Sequence, residues 1–323
     1  MRAADEGHGR ILSGYVVPPM TGGARRGTLP SMQSEPIHPA VRVGHVHLKV
    51  ADLDRSLAFY RDALGLNLTA DGRPVGLEAA FLAAGDYHHH IGLNTWESAG
   101  ATPPPPGHTG LYHVAFVYPD RRELGKAVQR LIDHGYAPDH ATDHGGTVSV
   151  YLDDPDGNGI ELYADRPRDV WPPPQPGFQV GMFTAPLDLE DLVRAAPGEE
   201  APRQVGEGLT LGHMHLHVGD IDEAMRFYRD VIGFDSMAEL PGAAFVSAGG
   251  YHHHLGFNTW QGQGAPPAPA DAVGLRYWTL RLDGDDELAQ VRARIDAAGI
   301  PTEEHPEGLL VRDPFGNAVV LTT

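Results

Sequence analysis

The 323-residue chain contains no cysteine. Disulfides, thiolate nucleophiles and cysteine-based zinc sites are therefore excluded. No apolar run is long enough to span a bilayer, and no stretch reads as a secretory h-region. Basic residues are scarce: 24 Lys and Arg stand against 43 Asp and Glu, a net charge of −19. That balance disfavours nucleic acid and anionic membranes as partners. These absences fit a cytoplasmic enzyme, alone or as a homo-oligomer. The length suggests two domains, each large enough for its own core.

What is present is repetition. Gly44-His45-Val46-His47-Leu48 returns as Gly212-His213-Met214-His215-Leu216. Phe59-Tyr60-Arg61-Asp62 returns as Phe227-Tyr228-Arg229-Asp230, and Tyr87-His88-His89-His90 returns as Tyr251-His252-His253-His254. Each half divides again into a strand, a helix and further strands. Four helices are expected from their apolar spacing: Leu53, Leu57, Tyr60 and Leu64; Leu124, Val128, Leu131 and Ile132; Ile221, Met225, Tyr228 and Ile232; Leu288, Val291 and Ile295. Asp52 is the expected N-cap of the first, and glycines 65, 135, 233 and 299 end them. Alternation over residues 43–50 and 147–152 predicts strands.

Residues 1–42 have no apolar period and read as a disordered leader. The expected domains are then 43–165 and 211–323, with a linker over 166–210 stiffened by Pro172, Pro173, Pro174 and Pro176. Within that linker, residues 187–195 could form one short helix. Trp96 and Trp260 are expected in the core.

Four such units, paired two by two, resemble the vicinal oxygen chelate superfamily. The resemblance covers nearly everything from residue 43 onward and implies an α+β fold of four βαβββ modules paired into two barrel-like domains. The tail of the first half is more specific. Thr142-Asp143-His144, five residues, Val150-Tyr151, two residues, Asp154-Pro155-Asp156-Gly157, three residues and Glu161 resembles the extradiol ring-cleavage dioxygenase signature. It is most similar to the catechol 2,3-dioxygenase branch.

Carried across residue by residue, the resemblance implies metal ligands at His45, His113 and Glu161. It also implies catalytic roles for His89, His144 and Tyr151, with His89 as acid/base. The metal implied is Fe(II), with Mn(II) suited to the same donors, and the substrates are a catechol and O2. His47 shares parity with His45 and stays unassigned.

The second half keeps His213 but has Tyr277 in place of His113, Val320 in place of Glu161 and Leu310 in place of Tyr151. It is expected to be degenerate, with His213 dispensable. Its surviving Asp313-Pro314-Phe315-Gly316 marks the turn as structural. The rival readings are a glyoxalase-like lyase or transferase, which usually wants a fourth protein ligand, and a metal-free binding protein of the bleomycin-resistance type.

Overall fold

In Arg42–Lys49 (β1) apolar Val46 and Leu48 alternate with His45 and His47, yet all four are buried. Such a strand needs cover on both faces: helices against the apolar side and a closed interior against the histidines. The computed structural model, which describes residues 35–195 and 202–323, supplies both.

Module 1 continues through α1 (Leu53–Leu57), which widens into a π-helical turn (Ala58–Ala63), then β2 (Asn67–Asp71), β3 (Ala79–Ala83) and β4 (Ile91–Asn94). Module 2 comprises β5 (Gly110–Tyr118), α2 (Arg121–Asp133), β6 (His140–Asp143), β7 (Thr147–Asp153) and β8 (Gly159–Asp165). A connection carrying β9 (Ala185–Pro186) and α3 (Leu189–Val193) leads to module 3. That module is β10 (Thr210–His217), α4 (Ile221–Met225) with a π-helical extension (Arg226–Ile232), β11 (Asp235–Leu240), β12 (Ala243–Ser247) and β13 (Leu255–Asn258). Module 4 is β14 (Gly274–Arg281), α5 (Asp285–Ala297), β15 (Thr302–His305), β16 (Gly308–Arg312) and β17 (Ala318–Thr322).

The α+β expectation of four paired modules holds. The expected caps are present too: Asp52 accepts from the Arg55 N–H, and Gly65, Gly135, Gly233 and Gly299 all have positive φ. No described helix is long and apolar enough to cross a membrane.

The pairing differs from the expected contiguous domains. One eight-stranded sheet runs β15-β16-β17-β14-β1-β4-β3-β2, joining module 1 to module 4. The other runs β11-β12-β13-β10-β5-β8-β7-β6-β9, joining module 2 to module 3. The joints are antiparallel pairs, β1 with β14 and β5 with β10. Chain neighbours meet through their helices instead. The Arg130 guanidinium of α2 donates to the carbonyls of Ala63 and Leu64, and Arg294 of α5 donates likewise to Val231 and Ile232. Tyr60 donates to Asp154 across modules 1 and 2, and Tyr228 to Asp313 across modules 3 and 4. So residues 43–165 do not form a sheet of their own, and neither do residues 211–323.

The physical reason is near-identity of the joining strands. The backbone edges of β1 and β10 present the same pattern, so local sequence does not choose which of them meets β5. The connection between the halves favours β10. Its β9 adds to the β6 edge and its α3 buries Leu192 within the module 2 core, so the linker is anchored on module 2. The short helix expected within residues 187–195 is α3 itself.

Two smaller expectations also shift. Residues 1–34, most of the expected leader, lie outside the described residues. Residues 35–42 are partly packed, with Ile37 and Val41 buried and the Ile37 N–H donating to the Gly233 carbonyl. Trp96 and Trp260 are about half exposed rather than core, and Arg276 stacks over Trp96.

Candidate metal centre and active site

On β5, Ala115 lies in register with Glu161 of β8 on one side and with His213 of β10 on the other. Side chains in register on neighbouring strands share a face, and His113, two residues away, shares it as well. Ala115 is small and leaves the space above it to the three larger groups. Nε2 of His113 lies 3.1 Å from Oε2 of Glu161, Nε2 of His213 lies 3.0 Å from the same oxygen, and the two imidazole nitrogens are 3.3 Å apart. All three residues are buried, Glu161 at 4% exposure.

This triangle fits a metal ion. Donors about 2.1 Å from one ion and at right angles to each other lie about 3.0 Å apart, and tetrahedral donors about 3.4 Å apart. A carboxylate this deep is also costly without a cation. Burial pushes the Glu161 carboxyl up, but His213 and His113 outweigh it and hold it well below the usual carboxylate range. Burial lowers the His213 imidazole to about 4, against the pull of Glu161, so this nitrogen donor can enter as a neutral ligand.

The expected third ligand, His45, is elsewhere. It faces the interior of the other barrel, 3.1 Å from Oε2 of Glu307. His213, expected to be dispensable, takes its place because β10, not β1, is hydrogen-bonded to β5. His89 moves with its module: its ring lies 4.1 Å from that of His45. The equivalent position beside the triad is His253, whose ring lies 4.1 Å from that of His213.

His144 and Tyr151 do reach the triad. The Tyr151 hydroxyl is 3.1 Å from Oε1 of Glu161 and 3.1 Å from Nε2 of His144, while Nδ1 of His144 faces the Phe183 carbonyl at 3.2 Å. Burial and the Glu161 charge push the Tyr151 hydroxyl well above its usual range, so it stays a proton donor. Burial lowers the His144 imidazole.

A second chain of contacts, absent from the sequence reading, ends on His253. Oδ1 of Asp165 lies 3.2 Å from Nε2 of His252, and Nδ1 of His252 lies 2.9 Å from Nδ1 of His253. Tyr251 donates to the other Asp165 oxygen at 2.9 Å. With His252 donating from Nε2 to the carboxylate, its Nδ1 accepts from His253, and a neutral His253 keeps its lone pair on Nε2. Burial holds His253 well below the ordinary histidine range, so it is neutral. The signal for this chain was the Tyr251-His252-His253-His254 repeat, and only the barrel pairing says which copy serves the triad.

The turn after β7 is structural, as expected. Oδ1 of Asp154 accepts from the N–H groups of Asp156 and Asn158, and Gly157 sits at φ 81°, where a side chain would be strained. Asp313 and Gly316 reproduce it in module 4, with Gly316 at φ 85°.

The family model for the Glyoxalase/Bleomycin resistance protein/Dioxygenase superfamily matches residues 42–162 and 210–321. The chain is 41% identical over 296 residues to the catechol-2,3-dioxygenase of Bacillus subtilis (strain 168), covering 88% of this chain and 98% of that one. It is 32% identical over 125 residues to biphenyl-2,3-diol 1,2-dioxygenase 3 of Rhodococcus globerulus, covering 39% of this chain and 64% of that one. Among solved structures, a candidate dioxygenase from Bacillus subtilis subsp. subtilis str. 168 superimposes with a TM-score of 0.60 at 14% identity, covering 89% and 86% of the two chains. Glyoxalase I from Zea mays follows with 0.51 at 17%, covering 87% and 92%. At those identities the structural likeness speaks for the fold alone.

Proposed function

Because this chain belongs to the Glyoxalase/Bleomycin resistance protein/Dioxygenase superfamily and is an oxidoreductase of its extradiol dioxygenase kind, we propose that it opens the ring of catechol or a substituted catechol with O2. The cofactor is Fe(II), held by His113, Glu161 and His213. The observation that carries this reading is the triangle of two imidazoles and one carboxylate in the barrel of modules 2 and 3.

His113, Glu161 and His213 would hold a divalent iron, which would supply Lewis-acid and redox chemistry toward a catechol and O2. The chain's own residues handle the protons. His253, with its Nε2 lone pair, takes the proton that a catechol hydroxyl must lose, and Asp165 holds it in that tautomer through His252. The Tyr151 hydroxyl and His144 hydrogen-bond the resulting oxygen anion and position the ring. The buried wall around the triad keeps water from competing for the same donors.

The test is oxygen uptake and formation of the yellow ring-fission product by protein purified anaerobically and loaded with Fe(II), with catechol as substrate. Turnover that follows iron content supports the reading, and parallel loading with Mn(II) ranks the two metals. Iron bound at the triad without turnover of catechol or alkyl-catechols would favour the glyoxalase-like reaction class. Protein that takes up no metal would leave only a binding function.

A further inference from the structure

The barrel of modules 1 and 4 has lost the family donors at Tyr277 and Val320, yet it holds four others. His45 and His47 come from β1, His89 from the loop before β4 and Glu307 from the turn between β15 and β16. We propose that these four residues form a second divalent transition-metal site, independent of the triad and of zinc-like tetrahedral character.

Three imidazoles and a carboxylate are a donor set that suits Zn(II). One donor atom from each lies within 4.8 Å of all the others. Nε2 of His45 is 3.1 Å from Oε2 of Glu307, and Nε2 of His47 is 3.0 Å from Nε2 of His89. Tetrahedral zinc donors lie about 3.4 Å apart, so closure asks for movements of about 1 Å. The three histidines are buried, while Glu307 is a third exposed.

Two differences from the other barrel build the site. First, His215, the equivalent of His47, is occupied: its Nε2 lies 3.0 Å from the Asn258 amide. In the second barrel Asn94 turns to the Leu48 carbonyl and leaves Nε2 of His47 to face His89. Second, the equivalent strand pairs Thr142↔Ser149 and His305↔Gly308 enclose six residues in module 2 but two in module 4. The shortened turn carries Glu307 back over the sheet and supplies the carboxylate that Val320 does not. Tyr277, standing where His113 does, donates to Glu307 at 3.3 Å and orients it from outside the donor set.

Access exists as well: an open pocket of about 540 Å³, lined in part by Thr69, Phe81, His88 and His89, leads to the cluster. With four protein donors, such an ion has no pair of adjacent open positions like those of the triad. It serves the barrel's stability rather than oxygen chemistry.

The experiment is titration of the metal-stripped full chain with Zn(II), and with Co(II), whose tetrahedral complexes absorb strongly in the visible. The wild type is expected to bind two equivalents. Glu307→Gln and His47→Gln should each bind one and keep catechol turnover with iron at the triad. Glu161→Gln should bind one and retain the tetrahedral Co(II) band, which separates this site from the catalytic reading. His113→Asn gives the same measurement if Glu161→Gln fails to fold. A triad variant that binds no Zn(II) and shows no tetrahedral Co(II) band overturns the proposal. So does a wild type that holds a single equivalent lost on mutation of Glu161.

Discussion

The two barrels share a fold and differ in what stands at three equivalent positions. Around the joint of modules 2 and 3 these are His113, Ala115 and Glu161; around the joint of modules 1 and 4 they are Tyr277, Thr279 and Val320. In the first, the small Ala115 lets three donors converge. In the second, the Thr279 hydroxyl bonds the backbone of His45 at 2.8 Å, Tyr277 stacks on His47, and the carboxylate arrives from a different element. The βαβββ frame therefore fixes where side chains meet, while single substitutions fix what meets there. A donor lost from one strand can be replaced from a neighbouring turn.

The sharpest way to break this comparison is to exchange the roles of the first-strand histidines. Glu161→Ala and His213→Ala should each abolish iron retention at the triad, with a loss of turnover beyond the roughly 100-fold that an outer partner of a metal ligand costs. His45→Ala should leave turnover within about twofold. Equal losses from His45→Ala and His213→Ala, read by elemental analysis and oxygen uptake, would restore contiguous pairing.

The histidine repeats come next. His253→Asn should lower kcat by about 10²–10⁴-fold at unchanged iron content, the usual range for a general base. His89→Asn should not, so steady-state kinetics on both variants tells which copy serves the substrate.

A smaller effect probes the joints. A Cβ on Gly212 would lie 1.7 Å from the Tyr163 hydroxyl, and one on Gly44 would lie 2.5 Å from the Thr279 hydroxyl. Gly212→Ala should destabilise by about 1–3 kcal/mol in denaturant unfolding, as overpacking does, and more than Gly44→Ala.

The smallest expected difference lies where the barrels agree. Burial, then neighbouring imidazoles, lowers His90 and His254 to about 4 each, against 6.5 for a free imidazole. Between those values the unfolded chain binds more protons, so stability falls as pH drops from 6.5 to 4. Replacing either histidine by Gln should flatten that acid limb by a similar amount, about 3 kcal/mol, in melts of metal-free protein. Unequal slopes would mean that the two barrels differ in more than their donors.

Much of this was legible before the fold. The caps at Asp52 and Gly65, the helix faces and the structural turn at Asp154 rest on contacts within one module, where spacing determines which side chains share a face; His113 and Glu161 came from the family resemblance, and both stand in module 2. His144 and Tyr151, named through the same resemblance, lie together beside Glu161 because β6 and β7 are neighbours in the chain. His213, His253 and Asp165 were not, because each acts across a joint between modules. Glu307 was hidden further still, since its position depends on how many residues a turn contains.

By itself, the sequence determined that there are four modules, where their main helices start and stop, and that module 2 carries both a histidine and a carboxylate on its strands. Those features depend on hydrogen bonds and apolar spacing over a few residues. Only the tertiary structure decided which first strand completes the triad. Two nearly identical strands offer β5 the same backbone edge, and long-range packing of the helices and of the chain between the halves selects β10.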